Sequence, residues 1–177
     1  MIEPMRLSSA DGATVELRPT RYQFDLAEVS AGARDWDANW LVLDGAIRLA
    51  DGRAWAFTDP SLTTFEARQL TVWLRDVIDG RVDPAPVIGG SDDEADAGRL
   101  RTFLEPSLAF SLAARDGQRV RLRVHLSLEA LPPWHQDPDG PDRPRFFEYA
   151  VELDTTIAAL AEAATTWETE ITNFPVR

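Results

Sequence analysis

The residues best suited to chemistry form an alternating run. Arg119, Arg121, Arg123 and His125 lie on one side of a stretch whose other side is Val120, Leu122, Val124, Leu126 and Leu128. Period-two alternation of this length describes a strand with one buried face. Three guanidinium groups and an imidazole on the open face would suit an enzyme or a binder of a small anionic ligand. They would also repel one another unless acids on neighbouring strands interleave, and Glu148 and Glu152 are available for that. A pocket of unpaired guanidinium groups would mark a ligand site, and a flat, salt-bridged face would mark ordinary solvent-facing sheet. His125 reads first as an outward strand residue and only second as a general base.

Other chemistries find less support. With no cysteine, disulfides, thiolate metal sites and a cysteine nucleophile are excluded. Neither a G-x-S-x-G elbow nor S-x-x-K occurs, and both phosphate-cradle patterns, G-x-x-x-x-G-K-[ST] and G-x-G-x-x-G, are absent. His135, Asp137, Asp139 and Asp142 cluster in a proline-broken stretch, without the spacing or the bidentate glutamate of a calcium loop. No metal or cofactor is expected. Asp35 with Asp37, or Asp59 with Glu105, could form an acid–base dyad, but among 30 acidic residues chance pairs are expected.

The elements that would position these residues are legible in part. Residues 39–58 look like a hairpin turned at Asp51-Gly52, with Leu41, Leu43, Ile47 and Leu49 on one face. A helix follows. Thr63 and Glu66 form an S/T-x-x-E capping box, Ala67, Leu70, Trp73, Leu74, Val77 and Ile78 an apolar stripe, and Gly80 a stop. Residues 81–98 read as a loop rich in acids at Asp92, Asp93, Glu94 and Asp96. Leu108 to Ala113 and the arginine strand make a second hairpin around Asp116-Gly117. A Pro-rich loop covers about 130–144, and a last strand, Phe146 to Leu153, leads to a helix capped by Asp154 or Thr155. That helix carries Ile157, Leu160, Ala161, Ala164, Trp167 and Ile171 inward; Trp73 and Trp167 are both expected in the core.

Hairpins dominate and βαβ alternation is absent, so the expected fold is α+β: an antiparallel sheet of hairpins with two amphipathic helices packed on it, in one domain over 1–177. Phe57-Thr-Asp-Pro-Ser-Leu62 echoes Phe103-Leu-Glu-Pro-Ser-Leu108, which raises the idea of two related strand-strand-helix halves.

The net charge of −12 argues against nucleic acid and anionic lipid as partners, and would steer a basic partner inward. No apolar run approaches the roughly 18 residues of a membrane helix. The N-terminal MIEPMRLSSADG has no apolar core of a secretory signal, so the cytoplasm is the expected compartment.

Several blocks together resemble a known family. They are Asp37-Ala-Asn-Trp-Leu41; Trp55-x-Phe57-x-Asp59-Pro60-x-Leu62 running into Glu66, Leu70, Trp73 and Leu74; Phe103-x-Glu105-Pro106-x-Leu108-x-Phe110; Leu128-Glu129-x-x-Pro132-Pro133-Trp134; and a Trp167 helix ending in Phe174-Pro175. The set is similar to the WapI-like family of bacterial immunity proteins over about residues 20–175. The resemblance implies a non-catalytic cytoplasmic protein that binds and neutralises a toxin domain, often a nuclease. An acidic inhibitor of a basic toxin would gain a fast, steered association. On this reading Asp92, Asp93, Glu94 and Asp96 contribute acidic rim and Trp134 an aromatic anchor, although Trp134 could equally fold onto the sheet.

Overall fold

Alternating apolar residues and tight turns fold the chain into two antiparallel four-stranded sheets. Each sheet is followed in sequence by a helix. The computed structural model describes residues 3–25, 29, 36–85, 99–138 and 140–177. The first sheet runs in the order β1 (Met5–Ser8), β2 (Thr14–Tyr22), β3 (Trp40–Arg48), β4 (Ala54–Thr63), and β4 continues directly into α1 (Thr64–Ile78). The second runs β5 (Arg101–Thr102), β6 (Leu108–Asp116), β7 (Arg119–Leu126), β8 (Ala150–Thr156), and β8 continues into α2 (Ile157–Ile171). The fold is α+β, with two sheets where the sequence reading expected one. Its repeat is four strands and a helix. The echoed hexapeptides do not mark that repeat, since the first ends β4 and the second leads into β6.

The first two strands went unread in the sequence. β1 buries Met5 and Leu7, and β2 buries Val15 and Leu17. β1 pairs only with Thr14 to Leu17, so Pro19 falls beyond it, at a register shift between Pro19 and Arg21. In β3, Gly45 has its place because a Cβ there would lie 2.1 Å from Cε1 of Phe57 on the paired strand.

α1 begins with the expected capping box. Glu66 N donates to Thr63 Oγ1 (3.2 Å), while Glu66 Oε2 accepts from Thr63 N (2.8 Å). It stops at Gly80, whose φ of 75° suits glycine and whose N–H donates to Val77 O. α2 starts later than expected. Thr155 and Thr156 continue the β8 ladder opposite Val120 and Arg119, and Thr156, not Asp154 or Thr155, accepts from Ala159 N (3.1 Å). β-branched residues favour the extended ladder, which explains the delay.

The two helices pack on each other. Trp167 is fully buried and its Nε1–H donates to Ala67 O (2.9 Å), an approach permitted by the small Ala67, Ala163 and Ala164. Trp73 is only partly buried, against Phe110, so it sits at the edge of the core and not within it. One hydrophobic cluster draws on both sheets and both helices. Among the described residues no helix is long and apolar enough to cross a membrane.

Candidate functional site

β7 is an interior strand, flanked by β6 and β8, and the register places an acid opposite two of its arginines. Arg121 makes a bidentate pair with Asp154 (Nε–Oδ1 2.9 Å, Nη2–Oδ2 3.2 Å). Arg123 donates to Glu152 Oε1 (2.8 Å) and to the carbonyl of Ala85 (2.7 Å). Arg119 is exposed at the end of the strand. Glu148, expected to interleave, instead accepts from the N–H of Arg145. Two of the three guanidinium groups therefore already have carboxylates, which is the salt-bridged form of this face.

His125 departs from the expectation. It does not face outward with the arginines but is buried, because the turns before β8 fold over that end of the strand. Phe147 takes a left-handed φ of 64° and presents its carbonyl to His125 Nδ1 (2.6 Å), while Nε2 lies 2.9 Å from Ser111 Oγ. Burial lowers the His125 pKa to about 4, against the raising effect of the Phe147 bond and with help from the charge of Arg123. The neutral ring thus donates from Nδ1 and accepts from Ser111. A hydroxyl, an imidazole and an orienting carbonyl are the parts of an activated nucleophile. Here Ser111 and His125 are 0% and 1% exposed, so no substrate reaches the hydroxyl.

In the Pro-rich loop, Trp134 stands on a 3-10 turn, Pro133–His135, and is 41% exposed. Its ring meets Trp55 edge-on at 5.4 Å, and the Arg53 guanidinium lies 4.8 Å over it. It is at once a lid on Trp55 and a partly open aromatic surface. His135, Asp137 and Asp142 belong to no metal-holding group among the described residues, and Asp139 lies outside those residues. Asp35 and the acids Asp92, Asp93, Glu94 and Asp96 also lie outside them.

Asp59 and Glu105, which the echo suggested as a pair, are brought together. A cavity of about 260 Å³ is lined by Gln23, Trp40, Asp59, Pro60, Glu105, Leu128 and Glu129. Three local devices build it. The N–H of Leu104 donates to Glu66 Oε1 (2.6 Å), so the carboxylate that caps α1 also holds the segment bearing Glu105. Ser127 N donates to Ser107 O (2.9 Å), which brings the turn Leu128–Ala130, with Glu129, beside it. Trp55 Nε1–H donates to Ala130 O (3.0 Å) and ties that turn to β4, which bears Asp59.

The carboxyls in this cleft oppose one another. Burial raises the pKa of Asp59, the charge of Glu129 raises it further, and only a hydrogen bond from Ser61 acts the other way. Burial likewise raises Glu105, with Asp59 and then Glu129 adding to it. Among the described residues no ion pair involves any of the three.

Beside the cleft lies exposed apolar surface. Leu104, the neighbour of Glu105, is 62% exposed. Trp36, 56% exposed, rests on Phe65 with ring centroids 5.5 Å apart. Buried Asn39 fixes this arrangement, accepting from Thr64 Oγ1 (2.8 Å) and so holding the turn of Trp36 against the start of α1.

Residues 6–175 match the model of the immunity protein WapI-like family, nearly the whole chain. The chain belongs to this family. Membership implies an immunity protein that binds a toxin protein and neutralises it. No curated protein matches the chain. The arginine face is salt-bridged at Arg121 and Arg123, and the Ser111–His125 pair is closed to solvent. The cleft combines three acids that make no ion pair among the described residues with exposed apolar side chains nearby. The sequence reading had weighed Asp59 with Glu105 only as a chance pair, and had passed over Trp36, Phe65 and Leu104. An apolar Phe65 two residues past the Thr63 cap, off the apolar stripe of α1, was the available signal.

Proposed function

We propose that this protein is a non-catalytic immunity protein that acts in the cytoplasm against a basic toxin domain of the nuclease class. The family match over nearly the whole chain carries the reading. The net charge of −12 supports the basic character of the partner, because a nuclease presents cationic side chains to phosphate and an acidic inhibitor meets them by steered association. The paired state of Arg121 and Arg123 weighs against an anionic-ligand site on the β7 face.

The test is co-expression with the toxin-like domains encoded beside its gene, scored by growth rescue and by co-purification. With the rescued toxin in hand, association kinetics are measured against salt. The screening length falls from about 30 Å at 0.01 M to about 8 Å at 0.15 M. The association rate should fall by about tenfold or more over that range while dissociation changes little. Growth rescue without binding, or an association rate indifferent to salt, would remove the basic-toxin reading.

A further inference from the structure

Trp36, Phe65 and Leu104 are exposed on the 3-10 turn before β3, the first turn of α1 and the approach to β6; Trp36 rests on Phe65, and the Leu104 N–H is held by Glu66, the residue after Phe65. Exposed aromatic and aliphatic side chains grouped in this way, next to a polar depression, have the composition of a protein-docking patch. The adjoining depression decides what can dock. Asp59 and Glu105 are held together with Glu129 at a cost visible in their raised pKa values, and no arginine of the described chain relieves it. The same chain does supply arginine to acids elsewhere, at Asp154, Glu152 and Glu168.

At about 260 Å³ the cavity lies just below the roughly 300–1,000 Å³ typical of small-molecule pockets. Its walls also suit a long cationic side chain: Trp40, Pro60 and Leu128 offer apolar surface to a methylene stem, and the carboxylates meet the charge. Gln23 adds a neutral hydrogen-bonding group.

We propose that Trp36, Phe65 and Leu104 form the docking patch for the toxin domain, and that one arginine or lysine side chain of the toxin enters the cleft of Asp59, Glu105 and Glu129. This rests on the toxin-binding reading above. Trp134 is a different kind of surface, since its open ring already carries the Arg53 guanidinium.

Two experiments test the proposal. In the first, the toxin domain that wild-type protein binds is presented to Asp59→Asn/Glu105→Gln/Glu129→Gln and to Phe65→Ala/Leu104→Ala. All five positions are at least partly open to solvent, so the variants are expected to keep the fold, which circular dichroism and a thermal melt check. The matched control is Asp116→Asn/Asp142→Asn/Glu162→Gln, the same change of charge at exposed positions elsewhere. Each test variant should weaken binding by about tenfold or more, beyond the control, as expected when a desolvated charge or an anchor loses its partner. If wild type binds and the test variants match the control, the docking surface lies elsewhere and the toxin reading stands. If wild type binds no toxin domain, both fall.

The second experiment needs no toxin. Isotope-labelled protein is titrated with N-acetyl-arginine amide and with its neutral isostere, N-acetyl-citrulline amide. The Trp40 indole and Leu104 amide resonances should move with the arginine compound only, and should stay still in the triple cleft variant. An equal response to citrulline, or a response that survives in the triple variant, overturns the cationic occupant.

Discussion

Glu170 offers a stability test with a sign fixed in advance. It lies on the buried side of α2 at 3% exposure, with Oε1 3.4 Å from Arg18 Nε and no partner for Oε2. Burial raises its pKa to about 7 from the ordinary 4.5, against the lowering effect of Arg18. Between those values the folded chain holds more protons than the unfolded one. Its contribution to stability is therefore complete below pH 4.5 and is lost as pH rises through 7. At 1.36 kcal/mol per tenfold in proton affinity, the change is about 3 kcal/mol. His125 works in the opposite direction. Its pKa is lowered from 6.5 to about 4, so its contribution is complete above pH 6.5 and is lost as pH falls through 4, again about 3 kcal/mol. Across pH 4.5–6.5 the two slopes oppose, and their sum is nearly flat. Glu170→Gln cannot ionise and removes one of them. Denaturant unfolding at pH 4.5, 5.5, 6.5 and 7.5 should show the variant gaining about 3 kcal/mol relative to wild type from the acid end to the neutral end. The new amide shifts all pH values alike, and the Arg18 attraction is already contained in the pKa of about 7, so the trend is the readout. A difference between variant and wild type that stays constant within about 0.5 kcal/mol would refute the argument, being smaller than the extrapolation error of a typical unfolding curve.

Three further outcomes follow from the packing and the charge. Trp167→Ala should cost about 3–5 kcal/mol by calorimetry or denaturant, as for a fully buried aromatic, whereas Trp73→Ala at the core edge should cost clearly less. Gly45→Ala should destabilise by about 1–3 kcal/mol despite being a strand glycine, and Phe57→Leu should recover part of the loss in a double-mutant cycle, because the clash is with the Phe57 ring. The salt dependence of toxin association, measured by stopped flow, should report steering by the acidic surface.

Local rules reached the elements whose signals are local. Thr63, Glu66 and Gly80 bracket α1 because each acts on backbone groups within one turn, and Asp116-Gly117 turns the β6–β7 hairpin for the same reason. β1 and β2 were missed although Asp11-Gly12 stands between them and Val15 and Leu17 alternate with polar residues. A four-residue strand and Pro19 in its neighbour dilute the pattern. His125 shows where periodicity fails. Alternation places it on the open face of β7, but whether that face is open at its far end depends on Phe147 and the turns around it, 22 residues away. The cleft was illegible for a related reason. Asp59, Glu105 and Glu129 meet only because Glu66 holds Leu104 and Trp55 holds Ala130, contacts 38 and 75 residues apart in sequence.

The raised pKa values of Asp59 and Glu105 link the cleft to protons, and that linkage gives a last prediction. Where the cleft is empty, burial and mutual repulsion make these carboxyls hold protons more tightly than ordinary ones. A guanidinium or ammonium entering among them favours their charged forms and so lowers both pKa values. Over the pH range in which the free cleft is more protonated than the complex, binding must release protons. Released protons are taken up by the buffer. The calorimetric heat of toxin binding should then depend on the ionisation enthalpy of the buffer, and that dependence should fade as rising pH removes the protons from the free cleft. Binding should weaken as pH falls, for the same reason. Toxin groups can also exchange protons, so the decisive comparison is with Asp59→Asn/Glu105→Gln, in which the part of the proton release due to the cleft must vanish. An unchanged release in that variant would place the linked groups outside the cleft and would count against a cation bound within it.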